Sequence, residues 1–213
     1  LEETTVEETF TYQRRKVYDG ILRLIHAWNG LAVMFLIVTV WLSELFEEGA
    51  GERTLWQFHA YLGYALVVGL AARLAWGLVG PRHARFSDMW HPAQWWRALR
   101  RLDFSAPPRY GHHVLASGVY LAVYVLLLAM AATGLALAAI ELSMGPLTLW
   151  LGDAAWLKDV FEEPHEAIYS VLMAFVAAHV GALIWHERAE KAPLAQSMVS
   201  GYQYQITERK GDA

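Results

Sequence analysis

Four long apolar runs constrain this chain more than any other feature. They cover 21–42, 55–79, 114–140 and 165–185. A hydrocarbon layer about 30 Å thick needs about 20 apolar residues in helical form, and each run is long enough to cross it. The alternative is four buried helices of a water-soluble bundle, but such helices keep a polar stripe. The third run carries no charged residue from 114 to 140. The pattern therefore predicts an all-α integral membrane protein, a four-transmembrane-helix bundle. The first run is not a cleavable signal peptide: it is too long, and no small-residue cleavage site follows it. The sequence starts at Leu1 without an initiating Met, so residues ahead of it are expected to be missing.

Composition narrows the function. Hydrophobic residues make up 56% and charged residues 18%, and mean hydropathy is +0.25, values that fit a lipid-embedded chain rather than a disordered one. A net charge of -4 and a pI near 6.1 argue against a nucleic-acid partner. The absence of cysteine excludes disulfides, c-type haem attachment, Cys-ligated iron–sulfur clusters and Cys-type zinc sites together.

Loop charge sets the expected orientation. Arg14, Arg15, Lys16 and Arg23 precede or open the first run. Arg82, Arg85, Arg97, Arg100, Arg101 and Arg109 lie between the second and third, and Arg188, Lys191, Arg209 and Lys210 follow the fourth. Those are fourteen of the seventeen basic residues, all on one side. The other side has Arg53 and Lys158 among Glu44, Glu47, Glu48, Glu52, Asp153, Asp159, Glu162 and Glu163. The positive-inside rule then places both termini and the middle loop in the cytoplasm, in a multi-pass protein of a bacterial cytoplasmic (inner) membrane. Within the middle loop, HPAQWWRALRRL (91–102) reads either as a basic amphipathic helix on the inner surface, with Pro92 at its start, or as an ordinary surface loop. The outer segment 145–164 is long for a connection, and serves either as a docking surface for an outside partner or as a cap.

Ionisable residues at membrane depth mark function. The runs contain His26, His59, His165 and His179. His165 and His179 are fourteen residues apart, about 21 Å along a helix and within about 40° of one face. His59 matches His165 in depth, and His26 matches His179. Two bis-imidazole sites stacked across the bilayer suit the axial positions of two haem b groups, with these four histidines as ligands to haem iron. Zinc would want three or four ligands close together, and a di-iron site would want Glu-x-x-His pairs within the runs, which are absent. Gly30 and Gly63 each follow a histidine by four residues and leave room for a flat macrocycle. Arg73, fourteen residues after His59, and Arg23, three before His26, are candidate partners for haem propionates; Arg73 could instead snorkel to the inner leaflet. His112 and His113 open the third run, where they could hydrogen-bond a quinone, hold a propionate or simply sit at the interface. His83 and His91 carry no signal of their own.

These residues resemble those of the di-haem cytochrome b subunits of membrane-bound nickel–iron hydrogenases, within the bacterial cytochrome b561-type superfamily. The resemblance lies in RLIHAWNG, FHAYLGYALVVGLAARLAWGLVGPRHAR, GHHVLASGVYLAVYVLLLAMAATGLAL, HEAIYSVLMAFVAAHVGALIWHE and SMVSGY, over about residues 14–204. It implies four main helices around two b haems, quinone chemistry near the cytoplasmic haem and an electron-exchanging partner outside. Its axial-ligand positions fall on His26, His59, His165 and His179. Its Gly-His at the start of the third helix falls on Gly111 and His112, and His113 stands where the family often has Asn.

The expected organisation is a cytoplasmic N-terminal segment (1–20), a four-helix di-haem domain (21–186) and a cytoplasmic tail (187–213). The expected function is electron transfer across the membrane between an outer redox partner, hydrogenase-like or a c-type cytochrome, and the quinone pool, as membrane subunit of a respiratory complex. Alternatives are a stand-alone superoxide:quinone oxidoreductase and a non-redox membrane anchor. The acidic outer loops disfavour an anionic substrate such as superoxide and suit a basic partner.

Overall fold

The computed structural model describes residues 9–45, 49–102, 110–111, 114–189 and 193–210. Four long helices carry the apolar runs: α1 (Gly20–Ser43), α2 (Ala50–Val79), α4 (Val114–Leu142) and α6 (Lys158–Ala189). Between them lie α3 (Pro92–Arg101) and α5 (Thr148–Leu151), and α7 (Ala195–Ser200) follows α6. Strand β1 (Thr9–Lys16) precedes α1 and β2 (Tyr202–Lys210) follows α7.

The first helix starts where its sequence allows a cap. Asp19 is extended, and its carboxylate accepts hydrogen bonds from the backbone N–H of Ile21 and Leu22, both at 3.0 Å. The same carboxylate accepts from Trp76 Nε1 at 3.1 Å, so one residue caps α1 and fastens it to the last turn of α2. That turn ends at Gly80, whose N–H donates to Trp76 O, and Pro81 follows. The helix α6 starts seven residues ahead of the run at 165 and contains Pro164. The segment 145–164 is therefore not a plain connection: α5, a 3₁₀ turn over Ala155–Leu157 and the first turns of α6 occupy it. Pro164 is the seventh residue of α6, past the first turn, and removes the N–H that would bond to Val160 O. Here Lys158 adds bonds to Glu141 on α4 (2.6 Å) and Glu162 (3.5 Å).

The long helices pack in the order α1 on α2, α2 on α4 and α4 on α6. Small residues set the closeness of the first pair: a Cβ on Gly69 would overlap Asn29 and Trp28 of α1. Trp28 Nε1 also donates to Ala65 O at 2.8 Å. Ala32, Leu66 and Leu70 form the core there, against Leu127 and Ala131 of α4. Within the most apolar window of each long helix, only 11, 28, 28 and 6% of residues in chain order are buried. A water-soluble bundle could not leave Leu24, Leu31, Trp41, Phe58, Val68 and Val171 half exposed or more on such helices, whereas lipid-facing surfaces do so by design. The four helices are membrane spans.

Strands β1 and β2 and the described part of the connection between α2 and α4 meet at one end of the bundle. Strand β1 pairs antiparallel with β2, with Arg14 opposite Tyr204 and Lys16 opposite Tyr202. Arg14 stacks over the Tyr202 ring at 4.6 Å. The N–H groups of Val17 and Tyr18 donate to Gly201 O, and the N–H of Gly111 donates to Gln203 Oε1 at 2.8 Å. Gly201 adopts φ +83° there, and a Cβ on it would overlap Tyr18 O. The segments 1–20 and 187–213 thus contribute a two-stranded sheet that nothing in their composition announces. The stretch 92–101 is helical, as its Pro-Trp-Arg pattern predicts, and packs on the start of α4: Trp95 Nε1 donates to Val114 O at 2.7 Å, and Gly118 makes room for the Trp95 ring. Trp96 and Leu99 of α3 stay exposed.

Candidate haem-binding site

The four intramembrane histidines fall in two groups. His59 on α2 and His165 on α6 lie within electrostatic range of each other near the end opposite the termini. His26 on α1 and His179 on α6 do so nearer the termini. The pairs that depth matching predicts are the pairs that the fold brings together.

The far pair is held by two threonines. Thr39 Oγ1 on α1 donates to Leu36 O at 2.6 Å and lies 2.7 Å from His59 Nδ1. Thr133 Oγ1 on α4 lies 3.0 Å from both Ala129 O and Met130 O, and 2.9 Å from His165 Nδ1. A hydroxyl has one proton. With that proton on a backbone carbonyl, each threonine can only accept from its histidine, so Nδ1 carries the ring N–H. In a neutral imidazole that leaves Nε2 with its lone pair uncommitted, the protonation state that a metal ligand requires. Trp56 packs edge-on against His59 (ring centroids 5.5 Å apart). Gly134 brings the α4 backbone close to His165: a Cβ there would lie 3.1 Å from Cε1 of the ring. At the near pair, His179 stacks on Phe175 (5.6 Å, 23°) and meets Tyr120 edge-on (6.1 Å, 80°).

Two of these rings have open space one turn away that a flat macrocycle could take. A Cβ added at Gly30 or Gly63, four residues from His26 and His59, would meet nothing within 4 Å. Among the described residues, no three His, Asp or Glu side chains converge as a metal site of the zinc type would.

The two arginines are placed differently from each other. Arg73 is 2% exposed, so it does not snorkel to the membrane surface. Its guanidinium lies 4.4 Å from the Phe86 ring centre and 5.1 Å from that of Tyr124. Nε donates to Tyr124 Oη at 3.0 Å, and one terminal nitrogen approaches Met89 Sδ at 3.8 Å. The other, Nη1, is buried with no partner among the described residues. Arg73 thus ties the α2–α4 connection to the bundle. Gly77 one turn later lets Phe86 in, since a Cβ there would overlap the ring. Arg23 donates through Nη1 to Val199 O and holds the turn before β2, leaving its Nε buried without a partner.

His112 and His113 lie outside the described residues. His83 and His91 have structural roles that the sequence did not signal: His83 Nδ1 pairs with Asp88 Oδ2 at 3.0 Å, and His91 Nε2 donates to Asp88 O at 3.0 Å. Thr39 and Thr133 also escaped the sequence reading. Each is the single threonine of its span and sits at the depth of a histidine on another helix, which was the available signal.

Four membrane spans around two pairs of imidazoles, with Nε2 uncommitted on His59 and His165, define an integral membrane b-type cytochrome that transfers electrons. The chain belongs to the prokaryotic cytochrome b561 family, whose profile matches residues 17–201. Similar proteins include the probable Ni/Fe-hydrogenase B-type cytochrome subunits of Azotobacter chroococcum mcd 1 (26% identity, covering 87% of each chain) and Azotobacter vinelandii (25%, 87% of each). That of Cupriavidus necator is 27% identical over 87% of this chain and 85% of its own. No solved structure matches.

Proposed function

We propose that this protein is a di-haem cytochrome b that carries electrons across the cytoplasmic membrane between a redox partner at the outer face and the quinone pool, as membrane subunit of a respiratory complex. The observation that carries the reading is the pair of imidazole couples, with one member of each on α6 fourteen residues apart. His59 and His165 are the ligands of the outer haem, and His26 and His179 those of the inner one. When bound, the haems supply one-electron redox chemistry.

The chain's own residues do the rest. Thr39 and Thr133 fix the tautomer and the ring direction of the outer couple. Phe175 and Tyr120 wall the inner couple with aromatic surface. Arg73 Nη1 and Arg23 Nε, buried guanidinium nitrogens with no partner among the described residues, are the donors available for propionate carboxylates. The basic end, with both termini, faces the cytoplasm by the positive-inside rule. Quinone is exchanged at that end, where His112 and His113 follow Gly111. At the opposite end Lys158 is neutralised by Glu141 and Glu162, so the acidic character of that face stands. It suits a basic partner patch and disfavours superoxide as substrate. The names of the relatives favour a hydrogenase as that partner.

The test is haem stoichiometry in single-ligand variants. His59→Ala and His26→Ala should each lower the haem content of purified protein by half, and the two residual spectra should differ. Unchanged content in both would overturn the reading.

A further inference from the structure

The connection between α2 and α4 builds a polar cleft that the haem reading does not use. A cavity of about 540 Å³ opens between Arg15 of β1, Arg82, Ser87 and His91 of the connection, and Tyr110. An adjoining cleft of about 340 Å³ shares Arg82 and Ser87 and adds Arg85. Asp88 lines both, but its side chain is only 8% exposed and its charge is engaged locally. Oδ2 lies 3.0 Å from His83 Nδ1, and Oδ1 lies 3.6 Å from Arg82 Nε. Arg82 and Asp88 join the two into one cleft, in which three guanidinium groups against one paired carboxylate leave a positive balance. Two of the three are pre-oriented: Arg15 stacks on the Tyr110 ring at 5.4 Å, and Arg85 Nε donates to Gly80 O at 2.6 Å. The third, Arg82, has a side chain 81% exposed. Arginine forks of this kind match the geometry of phosphate oxygens.

The setting selects the source of the phosphate. Arg82 lies three residues past the last turn of a membrane span, where Leu78 and Val79 are 74% and 71% exposed, and Trp90, next in the chain to His91 of the cleft, is 62% exposed. A soluble anion has no use for that apolar rim, whereas a phospholipid lays its acyl chains along it and its headgroup above it. We propose that this cleft binds the phosphate of an anionic membrane phospholipid, with Arg15, Arg82 and Arg85 as donors. A zwitterionic headgroup carries its own ammonium and gains little from the excess positive charge.

Native mass spectrometry of the full chain in detergent, titrated with phosphatidylglycerol, phosphatidylcholine or glycerol phosphate, tests this. Phosphatidylglycerol should bind about tenfold tighter than phosphatidylcholine, and glycerol phosphate should not displace it. The double variant Arg82→Gln/Arg85→Gln should weaken phosphatidylglycerol roughly tenfold or more. Arg97→Gln/Arg100→Gln on α3, which removes the same charge outside the cleft, should change it by less than about twofold. Equal losses in the two double variants would mean diffuse surface attraction and overturn the site. Displacement by glycerol phosphate would mean a soluble phosphate ligand, and no preference over phosphatidylcholine would mean no anion site; either overturns it. The wild-type arms and Arg15→Gln decide the matter should the cleft double variant not fold.

Discussion

Replacing Thr39 by Val tests the link between the fold and the outer haem site most directly. The substitution keeps shape and removes one oxygen. His59 Nδ1 then loses its acceptor at 2.7 Å, and the N–H it carries is left inside the membrane-embedded bundle. Leaving a buried donor unsatisfied costs about 1–3 kcal/mol, and about 1.4 kcal/mol is a factor of ten in an equilibrium constant. Haem retention should therefore fall by roughly 5- to 140-fold, overlapping the ~10- to 100-fold typical of lost partners to metal-bound histidines. The rate of haem transfer from the detergent-purified protein to excess apomyoglobin measures this. One of two kinetic phases should accelerate in Thr39→Val, and the other should stay at the wild-type rate. Thr39→Ser, which keeps the hydroxyl, should restore most of the difference. If both phases in Thr39→Val match wild type, the hydroxyl does not support a ligand, and the assignment of His59 loses its physical basis.

Two further predictions follow from the same geometry. Gly134→Val sets its Cβ 3.1 Å from Cε1 of the His165 ring, with two methyl groups beyond it, and should remove the same haem that His59→Ala removes, read as an identical residual spectrum; retention of both haems would contradict the packing. Arg73→Met should destabilise the solubilised protein by about 2 kcal/mol through loss of the Tyr124 bond and the ring contacts. It should also speed proteolysis within 82–91, and Arg73→Lys should not restore either, since an ammonium cannot serve Phe86 and Tyr124 together. A protease pattern identical to wild type would show that Arg73 does not anchor the connection.

What was legible in the sequence and what was not divides along physical lines. The spans were legible because hydrocarbon imposes length and apolarity on each helix separately. The histidine pairs were legible because depth along a helix can be counted from its ends. Features that depend on how one segment meets a distant one were not. The partners Thr39 and Thr133 sit on different helices from the histidines they serve, and only rotation of α1 and α4 within the bundle aims them. The β1–β2 sheet joins residues that almost the whole chain separates, and neither strand shows a continuous apolar face. Arg73 is buried, but its guanidinium turns towards Phe86 and Tyr124, a direction set by where the α2–α4 connection folds back. Pro164 read as a boundary and lies inside a helix, because α6 begins at Lys158, bonded to Glu141 on the neighbouring α4.

The sheet at the termini end has a consequence for assembly. The backbone partner of β1 is synthesised only after all four spans, and the turn that receives Arg23 and the N–H groups of Val17 and Tyr18 comes with it. Until then the entry to α1 is held from α2, by the bond from Trp76 to Asp19. Closing the sheet therefore acts as a late latch on that entry, added once the other helices are in place.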